Sequence, residues 1–318
     1  MKILIVGGSG FIGTELTGML LKRGHIIVIL DLKKSAQFPE LCIQGDIRDL
    51  EAVIEASKEC DLIINLAAEH ADNVEPISLY YDVNVGGIKN VIAAAKANTI
   101  KKILFTSTAA VYGLDKGEVV ETMTPDPFND YGHSKYQAEQ ALLEWAEEYP
   151  ESDLIILRPT VVFGENNRGN VYNLFHQIYS NRFAMVGSGR NEKSVAYLKN
   201  IVAFMDYIIS KGSGVGIYNY TDKPDLSMNE LVGITRASLK KKGRLLRFPF
   251  AFGLLIGYCF DLLSTITHRE FPVSSIRIKK FCEHTTLNGD KLFATGFRAP
   301  YSLAEAIDNT IKYEFLKG

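Results

Sequence analysis

Residues 2–13 read KILIVGGSGFIG, an apolar run that leads directly into three glycines spaced three apart, Gly7, Gly10 and Gly13. The run predicts a buried parallel strand, and the residues after it predict a helix. A strand, a glycine turn and a helix in this order expose backbone N–H groups and the positive end of a helix dipole. Because this arrangement suits a pyrophosphate, the stretch predicts a dinucleotide-binding unit.

A carboxylate at the end of the second predicted strand supports the same interpretation. Asp31 ends HIIVILD, 18 residues beyond Gly13. A carboxylate there accepts hydrogen bonds from the adenosine ribose hydroxyls and repels a 2′-phosphate, which favours NAD over NADP. Lys33 and Lys34 could each neutralise a phosphate, so NADP stays open as the alternative cofactor. A solvated carboxylate without a ligand is the structural alternative for Asp31.

Composition excludes several classes of protein. The 318 residues are 47% hydrophobic and 23% charged with a net charge of −2, which is typical of a globular protein and not of a nucleic-acid-binding one. The four cysteines lie far apart and show no spacing typical of zinc ligands, so we expect no metal site. Free cysteines favour a reducing, cytoplasmic location.

Strand and helix patterns alternate through the first half of the chain. The predicted strands are 2–6, 25–30, 41–44, 61–67, 102–107 and 153–158, and the predicted helices lie near 12–23, 49–58, 79–97 and 131–148. Repeated βαβ units predict an α/β fold, a Rossmann-like doubly wound parallel sheet. We expect residues 1–165 to form this domain and 166–318 to form a smaller, mostly helical substrate lobe, with segments such as 215–221 returning to the main sheet.

Residues 240–266, KKKGRLLRFPFAFGLLIGYCFDLLSTI, combine a basic cluster with an apolar stretch. The stretch contains Pro249, Gly253, Gly257 and Asp261 and falls short of the roughly 20 apolar residues of a spanning helix. It predicts a buried helix of the second lobe. The alternative is a weak association with a membrane surface, since basic and apolar residues together bind anionic lipid.

Two further stretches carry the predicted chemistry, FTSTAAVYG (105–113) and YGHSK (131–135). Tyr131 and Lys135 are four apart and so share one face of a helix, where an ammonium lowers the pKa of a phenol from about 10. Such a phenol is a general acid/base for a carbinol–carbonyl pair. Thr108 ends a parallel strand, where its hydroxyl can bind the same substrate oxygen. A Y-x-x-x-K pattern is common on exposed helices. It indicates a catalytic site here because it occurs together with the glycine turn and Asp31.

Together these motifs resemble the extended short-chain dehydrogenases/reductases, in the NAD-dependent epimerase/dehydratase family of nucleotide-sugar 4-epimerases and 4-ketoreductases. The resemblance extends over nearly the whole chain, through GDIRD (45–49), NLAA (65–68), VNVGGIKNV (83–91), LRPTVVFG (157–164) and NGDKLFATGFRAPYSLAEAI (288–307). It implies that Tyr131 is the acid/base, that Lys135 holds the nicotinamide ribose, and that Thr108 fills the Ser/Thr position. The cofactor residues that it implies are Gly7, Gly10, Phe11, Ile12, Gly13, Asp31, Asp46, Ile47, Leu66, Ala67, Ala68 and Ser107.

The resemblance leaves the net reaction open. Ala109 and Ala110 stand where 4,6-dehydratases carry acids, which argues against dehydration. A nucleotide-sugar 4-epimerase is slightly preferred. Val161 and Lys193–Ser194, where epimerases usually have Asn and Arg-Asp, favour a 4-ketosugar reductase. A 3β-hydroxysteroid dehydrogenase-like enzyme with a lipid substrate and a non-catalytic NAD-binding regulator are further alternatives.

The resemblance also implies partners. A nucleotide-diphosphate sugar needs cations, and the candidates are Lys193 and Arg277, each of which could equally be an ordinary surface charge. Members of the family often dimerise through the helices predicted at 79–97 and 131–148, so we expect a homodimer.

Overall fold

Strands and helices alternate through the first half of the chain, as predicted. The computed structural model describes residues 1–71, 74–113, 116–211, 214–267, 269 and 274–316. The strands are β1 (Lys2–Val6), β2 (Ile26–Asp31), β3 (Cys42–Gln44), β4 (Leu62–Asn65), β5 (Lys102–Thr106), β6 (Asp153–Pro159), β7 (Val161–Phe163), β8 (Met185–Val186), β9 (Glu192–Tyr197), β10 (Val215–Tyr220), β11 (Asp222–Ser227) and β12 (Arg247–Phe248). The helices are α1 (Phe11–Lys22), α2 (Leu50–Ala56), α3 (Ser78–Tyr81), α4 (Gly87–Ala97), α5 (Asp130–Glu148), α6 (Asn170–Tyr179), α7 (Leu198–Lys211), α8 (Met228–Ser238), α9 (Phe250–Thr267), α10 (Ser275–Cys282), α11 (Asp290–Ala294) and α12 (Leu303–Phe315).

Within these ranges, seven strands form one parallel sheet in the order β10-β6-β5-β4-β1-β2-β3. The strand order reverses between β1 and β4, so a crevice opens at their carboxyl ends, where ligands of such sheets bind. The predicted Rossmann-like doubly wound sheet is confirmed. β10 pairs with β6, which places a segment from the second half of the chain in this sheet.

Successive residues of β1 face opposite sides of the sheet, and both sides are buried. Ile3 and Ile5 belong to the core beneath α1 and α7, whereas Leu4 and Val6 belong to the core beneath α2, α4 and α5. Burial on both faces explains why the strand is uniformly apolar. The strand therefore ends at the glycine turn with its position fixed from both sides.

The chain groups into two compact units that are not consecutive in sequence. The first contains Met1–Val162, Ala196–Thr221 and Leu287–Pro300, and it includes the seven-stranded sheet. The second contains Phe163–Val195, Asp222–Thr286 and Tyr301–Gly318. In the second unit β11 runs antiparallel to β9, and β12 pairs with β8. Helices α6, α8 and α12 pack together there.

Helix α9 of the second unit differs from the prediction. The sequence predicts a buried helix at this position, but the large apolar side chains Phe252, Leu255 and Leu262 are exposed. Its buried residues are Gly253 and Gly257. The expectation of a buried helix is therefore wrong, because composition reports that a segment is apolar but not which of its sides the protein covers. By length and composition alone, α9 also meets the requirements of a membrane span.

Candidate active site

The glycine turn brings β1, β4 and α1 close together. Gly7 has φ +81° and donates its N–H to the carbonyl of Leu30 at 2.8 Å. A Cβ at Gly7 would lie 2.6 Å from the backbone nitrogen of Ala67, and a Cβ at Gly13 would lie 2.5 Å from Cα of Gly8. Side chains are therefore excluded by backbone at both positions. Gly10 is the N-cap residue of α1, which begins with Phe11 and Ile12.

The carboxylate of Asp31 lies against this turn. It accepts hydrogen bonds from the backbone N–H of Ser9 at 3.0 Å and from that of Lys33 at 3.1 Å. The end of β2 and the glycine turn are thus joined through one half-buried carboxylate. This places Asp31 beside the predicted pyrophosphate site, where a ribose hydroxyl donor would meet it.

The two candidates after β3 differ from each other. Asp46 forms an ion pair with Arg48 at 2.6 Å, and the hydrogen bond from Arg48 lowers the pKa of the Asp46 carboxyl. Ile47 is buried, and its Cδ1 would lie 2.9 Å from a Cβ at Gly87. The Ile47 side chain is therefore packed in the protein core. A role of Asp46 and Ile47 in binding the cofactor stays a prediction.

The ends of β4 and β5 complete the crevice. Leu66 donates its N–H to the carbonyl of Val6 at 2.8 Å, and Ala67 donates to Oδ1 of Asn65 at 3.1 Å, with half-buried Ala68 following. After β5, the hydroxyl of Ser107 is buried and has no hydrogen-bond partner among the described residues. A buried hydroxyl without a partner is costly, so it indicates a place where a ligand supplies one. The glycine turn and Ser107 both fit a dinucleotide.

Tyr131 and Thr108 lie close enough to interact. Tyr131 lies in the first turn of α5, whose N-cap residue Asn129 accepts a hydrogen bond from the N–H of Gly132 at 2.9 Å. Thr108 begins a 3₁₀ turn over Ala109–Tyr112 and accepts from the N–H of Ala110 at 3.2 Å. Burial raises the pKa of Tyr131, and a hydrogen bond with Thr108 opposes that shift without cancelling it. The pair is suited to hold and pass a proton at one oxygen of a substrate.

Lys135 lies one turn after Tyr131 on α5. Its side chain is buried, and Nζ lies 4.1 Å from the centre of the Phe105 ring. Burial lowers the pKa of Lys135 to about 7, and the negative charge of Glu139 opposes this shift. Burial and Thr108 are the causes that shift the pKa of Tyr131 here, so an effect of Lys135 on that pKa stays a prediction.

A buried network behind α5 was not predicted from the sequence. Arg158 on β6 donates to both carboxylate oxygens of Glu139, at 3.0 Å from Nε and 2.5 Å from the second guanidinium arm. It also donates to the hydroxyl of Tyr112 at 2.8 Å, which in turn donates to Oδ1 of Asn219 at 2.7 Å. The network joins α5 to the sheet. A Glu one turn after Lys135 was the signal that could have revealed it.

A second buried polar contact supports the first turns of α5. Asn84 lies in a π-helical turn over Asp82–Gly86, and its amide donates to the hydroxyl of Ser134 at 2.9 Å. Ser134 donates to the carbonyl of Tyr131, and Asn84 also accepts from the N–H of Glu69 at 2.9 Å. Asn84 therefore joins the segment after β4 to the helix that carries Tyr131. A polar residue within an apolar helical pattern was the available signal.

The two predicted substrate cations lie in the second unit. Nζ of Lys193 donates to the carbonyl of Lys280 at 2.9 Å and to the hydroxyl of Thr285 at 3.1 Å, and burial lowers the pKa of Lys193. Arg277 is exposed on α10, and its backbone N–H is bound by the hydroxyl of Ser274. Lys193 thus has structural partners within its own unit. A role of either residue in substrate binding stays a prediction.

Comparison with known proteins agrees with this geometry. Residues 3–220 match the NAD dependent epimerase/dehydratase family. A relative from Escherichia coli O157:H7, N-acetyl-alpha-D-glucosaminyl-diphospho-ditrans,octacis-undecaprenol 4-epimerase, is 49% identical over 317 residues, which cover 99% of this chain and 96% of that protein. A UDP-glucose 4-epimerase from Neisseria meningitidis serogroup C is 37% identical over 188 residues, 53% of this chain and 55% of that protein.

Solved structures show the same fold. The UDP-N-acetylglucosamine 4-epimerase from Bacillus cereus superposes with a TM-score of 0.79 at 19% identity and covers 100% of both chains. The Thermus thermophilus UDP-glucose 4-epimerase in complex with NAD has a TM-score of 0.74 at 22% identity and covers 98% of both chains. The family match and the relatives confirm the resemblance seen in the sequence, the enzyme class and NAD as the cofactor.

Proposed function

Because the chain belongs to the NAD dependent epimerase/dehydratase family, we propose that it is a 4-epimerase for an N-acetylhexosamine linked through diphosphate to a polyprenyl lipid. The observation that carries the C4 chemistry is the placing of Tyr131 near Thr108, whose interaction with the phenol opposes the rise in its pKa. The 49% identical relative, similar along 99% of this chain, carries the substrate class.

Different residues of the crevice bind different parts of the cofactor. NAD, when bound, supplies an acceptor and donor of hydride for C4 of the sugar. The glycine turn from Gly7 to Gly13 holds the pyrophosphate, Asp31 holds the adenosine ribose, and Ser107 and Lys135 bind on the nicotinamide side. Tight binding at these positions keeps the cofactor in place while the sugar changes orientation.

Tyr131 exchanges the proton of the substrate. It accepts the proton of the C4 hydroxyl when C4 is oxidised, and Thr108 hydrogen-bonds the same oxygen. After the 4-keto sugar presents its other face, Tyr131 returns the proton to O4, which now has the inverted configuration. The neutral phenol favoured by burial suits the second proton transfer, and the hydrogen bond from Thr108 assists the first.

Three positions that favour a reductase on sequence grounds also suit an epimerase whose substrate carries a lipid diphosphate in place of a nucleotide diphosphate. Val161 and Lys193–Ser194 depart from the Asn and Arg-Asp usual in the epimerases that the sequence resembles. Lys193 also has backbone and hydroxyl partners within its own unit. A substrate without a nucleotide would not need the residues that those epimerases keep. A nucleotide sugar remains the second candidate, since relatives such as UDP-glucose 4-epimerase act on one.

The test compares the two substrates directly. The purified enzyme is incubated with a polyprenyl-diphospho-N-acetylglucosamine in detergent and, separately, with UDP-N-acetylglucosamine, and the sugars are released and identified. We expect the C4 epimer from the lipid-linked sugar. Epimerisation of the UDP sugar alone would contradict the lipid substrate and leave the C4 chemistry standing, and epimerisation of neither sugar would contradict the proposed 4-epimerase.

A tyrosine pair provides the matched variants. Tyr131→Phe removes the acid/base hydroxyl, so we expect turnover to fall by about 10²–10⁴-fold while NAD stays bound. Tyr136→Phe changes a half-buried tyrosine of the same helix and should leave turnover nearly unchanged. Full activity in Tyr131→Phe would refute the assigned chemistry.

We also propose that the enzyme is a cytoplasmic homodimer that associates through α4 and α5. These two helices pack side by side, and Ile92 and Leu143 leave part of their apolar surface exposed there. The four cysteines are free, as a reducing compartment would keep them. Light scattering should give about twice the chain mass of 35.4 kDa, and a monomer would contradict the proposal.

A further inference from the structure

Helix α9 has an exposed apolar stripe along its whole length. Phe252, Leu255, Tyr258, Leu262 and Ile266 recur every three or four residues and so lie on one side of the helix. Between 47% and 66% of each of these residues is exposed. Exposed apolar patches of this extent mark surfaces that meet another apolar phase.

The opposite side of α9 is covered by the protein. A Cβ at Gly257 would lie 2.7 Å from Cα of Ser275, so α10 lies directly against the helix backbone there. The carboxylate of Asp261 accepts the backbone N–H of Ser275 at 3.2 Å. The one charged residue of the helix thus faces the protein, and the large apolar residues of the stripe face outward. This is the reverse of a surface helix in water.

Positive charge accompanies the stripe. Residues 240–280 contain nine lysines and arginines and two acids, a net +7, whereas the whole chain has a net charge of −2. Lys279 on α10 places its Nζ 5.9 Å from the centre of the Tyr258 ring. Lys242 and Arg244 are exposed next to Leu246, which is itself exposed. Cations therefore flank the apolar surface where lipid phosphates would meet them.

We propose that α9 docks this protein on an anionic lipid bilayer. The helix lies in the plane of the interface with its stripe among the acyl chains, while the lysines and arginines of residues 240–280 contact lipid phosphates. This inference stands on the geometry and charge of α9 and not on the proposed substrate. Its consequence, that the enzyme stays at the surface holding a lipid-linked sugar, rests on the proposed function.

An interfacial helix fits better than a spanning one. An 18-residue helix is about 27 Å long, slightly less than the roughly 30 Å hydrocarbon core. One side of α9 is also committed to α10 through Gly257 and Asp261. A bilayer also fits better than a second copy of the chain, because two copies joined along α9 would bring two segments of net +7 together.

Vesicle flotation tests the docking surface on the full-length, NAD-loaded protein. We expect it to float with vesicles that contain phosphatidylglycerol and much less with pure phosphatidylcholine, and to be released by salt or alkaline carbonate. Leu255→Glu with Leu262→Glu should weaken binding by more than about tenfold, since each buried leucine contributes that much to a binding constant. Leu316→Glu, at an exposed leucine beyond α12, should float like the unchanged protein.

A charge variant separates the two contributions. Changing Lys242, Arg244 and Lys279 to Gln should abolish the preference for phosphatidylglycerol and leave the folding of the protein intact, as circular dichroism would show. Loss of flotation in Leu316→Glu, or wild-type flotation in the Leu255→Glu, Leu262→Glu variant, would overturn the proposal.

Three other results would also count against it. Failure of the unchanged protein to float would refute docking, and retention after carbonate would replace the interfacial helix with a spanning one. A larger assembly that the Leu255→Glu, Leu262→Glu variant dissociates, without vesicle binding, would assign the stripe to a second copy. The flotation assay contains no sugar, and epimerase activity is measured separately in detergent, so either proposal can fail while the other stands.

Discussion

Gly7 shows how one atom decides whether the crevice can hold a dinucleotide. Gly7→Ala would place a Cβ 2.6 Å from the nitrogen of Ala67, at a φ of +81°. Gly24→Ala is the matched control, because Gly24 has φ +83° and no atom within 4 Å of its Cβ position. Both variants should lose about 1–2 kcal/mol of unfolding free energy to backbone strain.

We expect Gly7→Ala alone to lose bound NAD and to be destabilised further, because the Cβ must displace backbone. Urea unfolding and the nucleotide content of the purified protein measure the two effects. NAD retained equally in both variants would contradict the role of the turn.

Burial of the Lys135 ammonium lowers the unfolding free energy of the protein, and a methionine at this position would remove that penalty. Burial lowers the pKa of Lys135 from 10.5 to about 7, so below about pH 7 the folded, nucleotide-free protein holds a buried ammonium. Lys135→Met should therefore be inactive but more stable by a few kcal/mol, on the order given by the pKa change. Between about pH 7 and 10.5, Lys135 is protonated in the unfolded chain but not in the folded protein, so the unfolding free energy of the unchanged protein rises with pH. The difference in stability between Lys135→Met and the unchanged protein therefore narrows over this range.

Urea unfolding across this pH range checks the sign, with the exposed Lys89→Met as the control. A Lys135→Met protein that is less stable at every pH would mean that Lys135 is well paired. The sequence predicted the position of Lys135 but not its environment, because the ring of Phe105 reaches it only through the packing of α5 on β5.

Among the elements, the join between α5 and β6 depends on one buried ion pair. Arg158→Met would leave the carboxylate of Glu139 buried without its partner, which costs about 3–5 kcal/mol of unfolding free energy. Arg158→Met with Glu139→Leu should recover most of that loss. Lys96→Met, at the exposed pair between α4 and α5, should change stability little. Equal losses in Arg158→Met and Lys96→Met would contradict the importance of burial.

Glu139→Gln adds a readout in the pH profile. The charge of Glu139 raises the pKa of Lys135, so its removal should lower that pKa. Activity that requires the Lys135 ammonium should then be lost at a lower pH than in the unchanged protein. An unchanged profile would show that Glu139 supports the fold without acting on Lys135.

Elements were predictable to the extent that their cause is local. β1, α1 and α5 follow from apolar periodicity and the glycine turn, and the structure places each within about one residue of its predicted start. The outward face of α9 and the ion pair between Glu139 and Arg158 depend on contacts between distant segments. Periodicity carries no information about those contacts. For this reason α9 was wrongly predicted to be buried, and the ion pair was not predicted.

At the scale of the whole molecule, the sequence did not predict that each compact unit is built from three separate stretches of chain. Ala196–Thr221 and Leu287–Pro300 belong to the unit that also contains the N-terminal residues. Their return depends on β10 pairing with β6 and on α7 covering the sheet beside α1. The apolar strand pattern of residues 215–221 predicted a return to the sheet there, but one continuous boundary near 165 cannot represent an exchange of several segments.

The whole enzyme should retain its cofactor through turnover. A 4-epimerase returns the hydride that it removes, so NAD is neither consumed nor required to leave, and the close backbone cradle at Gly7 and Gly13 suits a cofactor held tightly. Denaturing the purified protein should release NAD at close to one per chain, and turnover should leave no net reduced or oxidised nucleotide. Asp31→Ala should lower that content, because the carboxylate that meets the ribose is lost. A protein that emerges empty and consumes NADPH in proportion to product would contradict this, since it would be a ketosugar reductase in which Asp31 does not select NAD.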